Sequence, residues 1–152
     1  MKFKILFFII FTSFLVTGSF QAFAMFSQIN WHSFEKGLLM AEKQEKKIFL
    51  YFHADWCKYC TKMGNTTFKD SQVIDLLNKE FISIQVDSEK QQEIANNYGV
   101  RGLPNSWFLE KDATKINSLP GYVDGPVFAL ILKYIKTDSF KKMSFQEFTK
   151  TL

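Results

Sequence analysis

Hydrophobic positions follow two periods along the chain, and the changes of period divide it into helices and strands. From Trp31 to about Glu45, apolar residues recur at helical spacing with charged residues between them. Residues 48–54 form a nearly continuous apolar run, which is typical of a strand covered on both faces. Residues 81–87 alternate with period two, which indicates another strand. The pattern predicts a mixed α/β domain.

Shorter segments complete the predicted order α-β-α-β-α-β-β-α. We expect Asn30 and Ser88 to cap the helices that follow them. Ser144 and Glu147 fit a capping box, which predicts a tail helix over residues 144–151. The other predicted elements are a helix from the two cysteines to about residue 65, a helix from 70–71, a helix over 89–98, strands over 105–110 and 115–119, and a helix from 124–125.

The N-terminal segment has the composition of a cleaved signal peptide. Two lysines precede an apolar stretch at residues 5–16, and the small residues of a cleavage site follow at 22–24. The apolar stretch is shorter than the ~20 residues of a membrane span, although an uncleaved anchor is the alternative interpretation. We therefore expect a signal peptide over 1–24, a mature domain over 25–152 that begins at Met25, and a periplasmic location.

Composition limits the classes of partner. The net charge of +4 is mild, two of the lysines lie in the expected signal segment, and no block of basic residues is present. This balance argues against nucleic acid as a partner. Aromatic residues make up 17% of the chain, so a single domain of this size can form a dense core. We expect a monomer.

The candidate chemistry lies in the only two cysteines, Cys57 and Cys60, which follow a predicted strand and begin a predicted helix. A helix N-terminus favours the thiolate, which is the form that attacks disulfides. As a structural disulfide the pair would close a four-residue loop, worth only about 2 kcal/mol. A structural zinc site usually needs four ligands, whereas the chain adds only His32 and His53. A redox-active dithiol, with no other cofactor and no metal, is the preferred interpretation.

Several motifs stand together in register with this pair. Residues 54–57 read Ala-Asp-Trp-Cys, residues 67–70 read Thr-Phe-Lys-Asp, and residues 98–104 read Tyr-Gly-Val-Arg-Gly-Leu-Pro. Over about residues 31–136 the chain resembles the thioredoxin superfamily, and it is most similar to the exported thioredoxin-like domain at the C-terminal end of DsbD-type electron-transfer proteins. The resemblance implies a thioredoxin-like fold, with a central mixed sheet of about four to five strands flanked by helices.

The same resemblance assigns roles to individual residues. It implies that Cys57 is the nucleophile and Cys60 the resolving thiol. It also implies that Pro104 is cis beside the disulfide, and that the Leu103 backbone pairs with an extended substrate segment. Without the resemblance Pro104 would read as an ordinary turn proline, since only about 5–6% of X–Pro bonds in folded proteins are cis.

The sequence departs from the family in its proton-transfer groups. Many thioredoxins carry a buried acid six residues before the first cysteine, and here that position is Tyr51. The DsbD-type domain also has an acidic residue soon after its second cysteine, whereas none follows Cys60 here. The proton path therefore stays open, with water or the cysteines themselves as candidates.

Neighbouring residues are candidate modulators or partner contacts. Lys58, between the cysteines, either stabilises a thiolate or is a solvated surface lysine, and Asp55 adds a nearby negative charge. Strand alternation places His53 on the face of Tyr51, as a packed residue at the core edge or as a proton relay. Trp56 is interpreted as a half-exposed aromatic residue that shields Cys57, with core packing as the alternative, and Tyr59 as a partner contact.

The leading hypothesis is a thiol–disulfide oxidoreductase that reduces disulfides of exported proteins, with Cys57 as the exposed thiol. No nicotinamide or flavin motif is present, so a reductant of this kind needs a membrane electron donor. The alternatives are a disulfide oxidant or isomerase, a Cu(I)-binding chaperone that uses Cys57, Cys60 and His53, and a non-catalytic interaction module.

Overall fold

The computed structural model describes residues 28–152. The expected signal peptide over 1–24 and the expected first mature residue, Met25, lie outside the described residues. Within the described part of the chain, no helix is both long and apolar enough to cross a membrane.

Five strands form one mixed sheet, which confirms the predicted fold class. They are β1 (Trp31–His32), β2 (Lys47–His53), β3 (Phe81–Asp87), β4 (Asn105–Leu109) and β5 (Lys115–Pro120). Their order across the sheet is β1-β3-β2-β4-β5. β1 and β2 run parallel to β3, whereas β4 runs antiparallel to β2 and β5. β2 is thus central, which explains its nearly continuous apolar sequence.

Six helices flank this sheet over residues 28–152. They are α1 (Phe34–Gln44), α2 (Lys58–Asn65), α3 (Ser71–Glu80), α4 (Gln92–Asn97), α5 (Gly125–Lys136) and α6 (Phe145–Thr149), with 3-10 turns at Thr67–Lys69 and Ser139–Lys141. The side chains of Asp70 and Asp124 accept backbone hydrogen bonds at the starts of α3 and α5. Ser144 and Glu147 form a capping box at α6.

Alternate residues of β2 enter two different cores. Phe49 and Tyr51 pack on the side that also contains α3 and α5. Leu50 and Phe52 pack on the opposite side, with residues of α1 and α4. The predicted alternation is therefore correct, and it places the side chain of His53 on the Tyr51 face of the sheet.

Two helix starts differ from prediction, because tertiary contacts override the local pattern. Trp31 begins a short strand beside β3 rather than a helix, and Ser33 is the N-cap of α1. The N–H of Asn30 instead bonds to Asn78. α4 begins at Gln92 instead of residue 89, because the Asp87 carboxylate accepts the next backbone N–H groups and forms a turn.

Candidate active site

Cys57 and Cys60 form a disulfide at the point where β2 gives way to α2. The Cys57 N–H donates to the Ala54 carbonyl at 3.1 Å, which turns the chain into the helix. Cys57 is the N-cap of α2, and its Sγ accepts the Cys60 N–H at 3.1 Å. One of the N–H groups that the first helical turn leaves free is therefore satisfied by this sulfur.

Both cysteines are buried in the disulfide form. Cys57 is 4% exposed and Cys60 is 7% exposed, because Ala54 and Leu103 pack against the bond. Burial in this disulfide state does not distinguish the two cysteines, so the prediction that Cys57 is the exposed, reactive thiol of the reduced protein stays a prediction.

The loop beside the disulfide carries the expected proline. The Leu103–Pro104 peptide bond is cis, and Pro104 is buried. The Pro104 carbonyl accepts the Gly121 N–H at 2.8 Å, which ties this loop to the end of β5. The loop thus lies against the disulfide while its other side is fixed to the sheet.

One side of the disulfide is an exposed groove with aromatic residues near it. Trp56 and Tyr59 are 67% and 61% exposed, so Trp56 is not packed in the core. The Trp56 indole N–H donates to the Glu89 carboxylate at 2.8 Å, which fixes the ring orientation. A groove of about 340 Å³ lies here, which we call the Trp56 groove; its lining includes Trp56, Glu89, Asn96, Arg101, Gly102 and Leu103.

The other side of the disulfide borders a polar cavity of about 330 Å³, which we call the Cys60 cavity; its lining includes Tyr51, His53, Asp55, Cys60, Lys69 and Gln85. The Tyr51 hydroxyl is buried and has no hydrogen-bond partner among the described residues. The His53 ring stacks on Tyr51 with 5.9 Å between ring centroids. His53 Nε2 lies 2.9 Å from the Gln85 amide nitrogen.

Burial shifts both titratable side chains of β2 that line this cavity. It raises the pKa of Tyr51, so the phenol stays protonated at neutral pH. Burial also lowers the pKa of His53, and Lys90 adds to this effect, whereas the carboxylates of Asp87 and Asp55 oppose it. His53 is therefore neutral at pH 7 and able to accept a proton.

Charged side chains around the disulfide are few and solvent-exposed. Lys58 and Asp55 both lie at the surface. The Lys90 ammonium lies 4.0 Å from Asp55 and 2.7 Å from Asp87, so it is shared between two carboxylates. Over residues 28–152, no three His, Cys, Asp or Glu side chains come together as a metal-binding group.

Two residues of this site, Gln85 and Glu89, were not predicted from the sequence. Gln85 lies opposite Tyr51 in the parallel register of β2 and β3. Since neighbouring residues in register share a face, the polar Gln85 within an apolar strand was a usable signal once that pairing was assumed. No local sequence pattern predicts the role of Glu89, because its contact with Trp56 joins two separate loops.

Comparison with known proteins identifies the family. A model of the thioredoxin-like domain matches residues 34–136. The chain is 30% identical over 111 residues to "Thiol:disulfide interchange protein DsbD" of Pseudoalteromonas atlantica, covering 70% of this chain and 19% of that protein. It is 30% identical over 77 residues to "Thioredoxin-like protein HCF164, chloroplastic" of Oryza sativa subsp. japonica, covering 50% of this chain and 29% of that protein.

A solved structure described as "DsbH Oxidoreductase" superimposes with a TM-score of 0.67 at 21% identity, covering 74% of this chain and 88% of that one. This likeness supports the fold. The chain spans less than a third of the length of either curated relative. The family model matches more than half of the chain, so the chain, with its Cys57–Cys60 disulfide, belongs to the thioredoxin-like domain family.

Proposed function

We propose that this protein is an exported reductant of protein disulfides. The observation that carries the proposal is the position of Cys57, whose sulfur accepts a backbone N–H at the start of α2 while it is bonded to Cys60 one turn further on. In the reduced protein the Cys57 thiolate attacks a client disulfide and releases one client thiolate. Cys60 then attacks Cys57, which reforms the protein disulfide and releases the second client thiolate.

The surroundings of Cys57 favour a reductant over a strong oxidant. A strong oxidant stabilises its thiolate heavily, so that its reduced form is favoured. Here the stabilising groups are the helix N-terminus and the exposed Lys58, and Asp55 opposes them. Interactions of this kind contribute about 0.3–1 kcal/mol each at exposed sites and up to about 2 kcal/mol where they are partly buried. A difference of about 150 mV between a reductant and a strong oxidant requires about 7 kcal/mol, which these groups do not supply.

Clients dock, in this proposal, along the Trp56 groove and the adjacent loop. Trp56 and Tyr59 offer exposed aromatic surface beside the disulfide. Leu103 lies between that groove and the cysteines and offers backbone groups to an extended client segment, with Pro104 behind it. Aromatic residues are enriched where protein surfaces meet, which supports this assignment.

Export and the electron source belong to the same proposal. Residues 1–24 have the composition of a signal peptide, so the mature chain begins at Met25 in the periplasm. The sequence contains no nicotinamide or flavin motif, so a membrane protein supplies the electrons that regenerate the dithiol. N-terminal sequencing of the protein from a periplasmic fraction should begin at Met25, whereas retention of residue 1 in that fraction contradicts cleavage.

The redox potential tests the direction of transfer. We expect equilibration with a glutathione series to give a value nearer about −270 mV, as for thioredoxin, than about −120 mV, as for a strong oxidant. Alkylation of free thiols followed by mass measurement reads the reduced fraction. Lys58→Gln should shift the potential by no more than about 30 mV. A potential more positive than about −160 mV would contradict the reductant and favour the oxidant alternative.

A further inference from the structure

The Cys60 cavity places a polar chamber directly behind the resolving cysteine. Its volume of about 330 Å³ is room for roughly ten water molecules at about 30 Å³ each. The Tyr51 hydroxyl is buried at this cavity without a partner among the described residues. Polar side chains of His53, Asp55 and Gln85 also line the cavity, and water is stable where a cavity offers it polar partners. The cavity therefore suits a chain of water molecules that reaches Cys60.

The resolving step needs a proton acceptor. Cys60 attacks as a thiolate, so its proton must leave before the mixed disulfide is resolved. Tyr51 does not serve, because its phenol is already protonated, and Lys69 is a cation without a free lone pair. Asp55 lines the cavity but is exposed and faces the Lys90 ammonium at 4.0 Å. His53 is the remaining basic side chain that lines the cavity.

His53 is held in a geometry that suits proton acceptance. Its ring stacks on Tyr51 with an interplanar angle of 10°. The Gln85 amide nitrogen lies 2.9 Å from Nε2, and an amide N–H only donates. Nε2 therefore accepts, and the proton of the neutral ring lies on Nδ1. Rotation of the Gln85 amide would present its oxygen to a protonated Nε2, so the same partner suits both states of the ring.

We propose that His53 relays the Cys60 proton through water in the Cys60 cavity. As the Cys60–Cys57 bond forms, the bond between Cys57 and the client sulfur breaks, and its electron pair leaves with the client. The Cys60 proton passes to His53 and from there to solvent. The titratable and charged groups that face His53 or share its cavity are Tyr51 and Asp55 from β2 and the loop after it, Cys60 from α2, Lys69 from the 3-10 turn, Asp87 from β3 and Lys90 from the loop after β3.

The test separates the two chemical steps. This relay rests on the proposed assignment of Cys60 as the resolving thiol and holds for either direction of electron flow. A Cys60→Ser variant performs only the first attack, so its reaction with a disulfide-bonded peptide gives that rate alone. In the dithiol protein, release of the second peptide thiol reports resolution. His53→Gln should slow this second release at least about tenfold at pH 7, since positioned proton transfer contributes about 10²–10⁴-fold.

The pH dependence of the second thiol release identifies the group that accepts the proton. In the wild-type protein the second release should rise with pH as His53 loses its proton, and His53→Gln should lack that inflection. His53→Phe keeps a ring over Tyr51 without an acceptor and should behave as His53→Gln does. His32, on β1 and outside the cavity lining, provides the matched control His32→Gln, which should keep the inflection. Added imidazole should restore release to His53→Ala.

Three results would overturn the relay. One is normal second release in His53→Gln and His53→Phe. Another is an equal loss of rate when His53→Gln is placed in the Cys60→Ser background, since that reaction does not use the Cys60 proton. The third is loss of the inflection in Asp55→Asn with its retention in His53→Gln. Absence of any exchange by the wild-type protein would instead contradict the proposed function, so the two failures are distinguishable.

Discussion

The two sides of the Cys57–Cys60 disulfide differ in chemistry. The Trp56 groove offers aromatic and backbone groups, and the Trp56 ring is 67% exposed. The Cys60 cavity has a similar volume but is lined by the half-buried His53 and by Tyr51, whose buried hydroxyl has no partner among the described residues. One side is suited to contact another protein, and the other is suited to handle a proton. The burial of Cys57 and Cys60 themselves does not reveal this difference, because both residues are buried.

This contrast explains how the site accommodates Tyr51 at the position where many thioredoxins carry an acid. β2 alternates, so its residues 51 and 53 lie on one face and reach the same cavity. A basic group two residues further along the strand therefore stays near the resolving cysteine. In the proposed relay the acid has been replaced within the same cavity, and the Trp56 groove is unaffected.

The largest expected effect comes from removing either sulfur. Cys57→Ser should lose essentially all exchange, because a serine hydroxyl does not form the attacking anion at neutral pH. Cys60→Ser should retain the first attack and accumulate mixed disulfides with clients. Non-reducing gels and mass measurement check both variants.

Limiting iodoacetamide provides an independent measure of the same asymmetry. In the reduced protein Cys57 should be labelled first, because the α2 N-terminus stabilises its thiolate. Preferential labelling of Cys60, or mixed disulfides trapped by Cys57→Ser instead of Cys60→Ser, would reverse the assignment of the two roles.

Trp56→Ala tests the Trp56 groove and should lower the second-order rate with peptide disulfides about tenfold, since exposed aromatic anchors often contribute more than about 1 kcal/mol to binding. The inflection attributed to His53 should persist. Leu39→Ala is the matched control, because Leu39 is also a large exposed apolar residue but lies on α1 outside the groove. Equal effects of the two variants would remove the groove from client binding.

We expect His53 and His32 to make folding stability depend moderately on pH. Burial is the main cause that lowers the pKa of both His53 and His32, so the folded state favours the neutral rings. The contribution of these histidines to the free energy of unfolding is complete above their unfolded-state pKa of about 6.5. It is lost as pH falls through their lower pKa in the folded state. Urea midpoints at pH 7.5 and 5 should differ less for His53→Gln than for the wild-type protein. An unchanged difference would mean that His53 titrates alike in both states.

The sequence predicted the sheet and the chemistry better than it predicted the site's surroundings. The period of β2 and the Cys-x-x-Cys spacing are local, so the strand, the following helix and the cysteine pair were readable. The burial of Cys57 could not be predicted from the local sequence, because Leu103 packs against it from a distant loop. The Cys60 cavity depends on the pairing of Tyr51 with Gln85, which is a property of the β2–β3 register. Trp31 fits a helical period and becomes a strand only beside β3.

Tyr51→Phe should have the smallest effect, and it separates the role of Tyr51 from that of His53 in the Cys60 cavity. The Tyr51 hydroxyl is buried and has no partner among the described residues, so replacing it with hydrogen removes no hydrogen bond within the described part of the protein. Its removal should therefore change the free energy of unfolding by less than about 1 kcal/mol. Tyr134→Phe is the matched control, because the Tyr134 hydroxyl donates to the Met143 carbonyl and its loss should destabilise the protein by about 1 kcal/mol.

Since burial raises the pKa of Tyr51, its phenol keeps its proton from pH 5 to 9, and the release of the second client thiol should keep its pH profile in Tyr51→Phe. Urea unfolding and the peptide-release assay measure the two quantities. A slower release with an unchanged unfolding free energy would place the proton route on Tyr51 instead of His53.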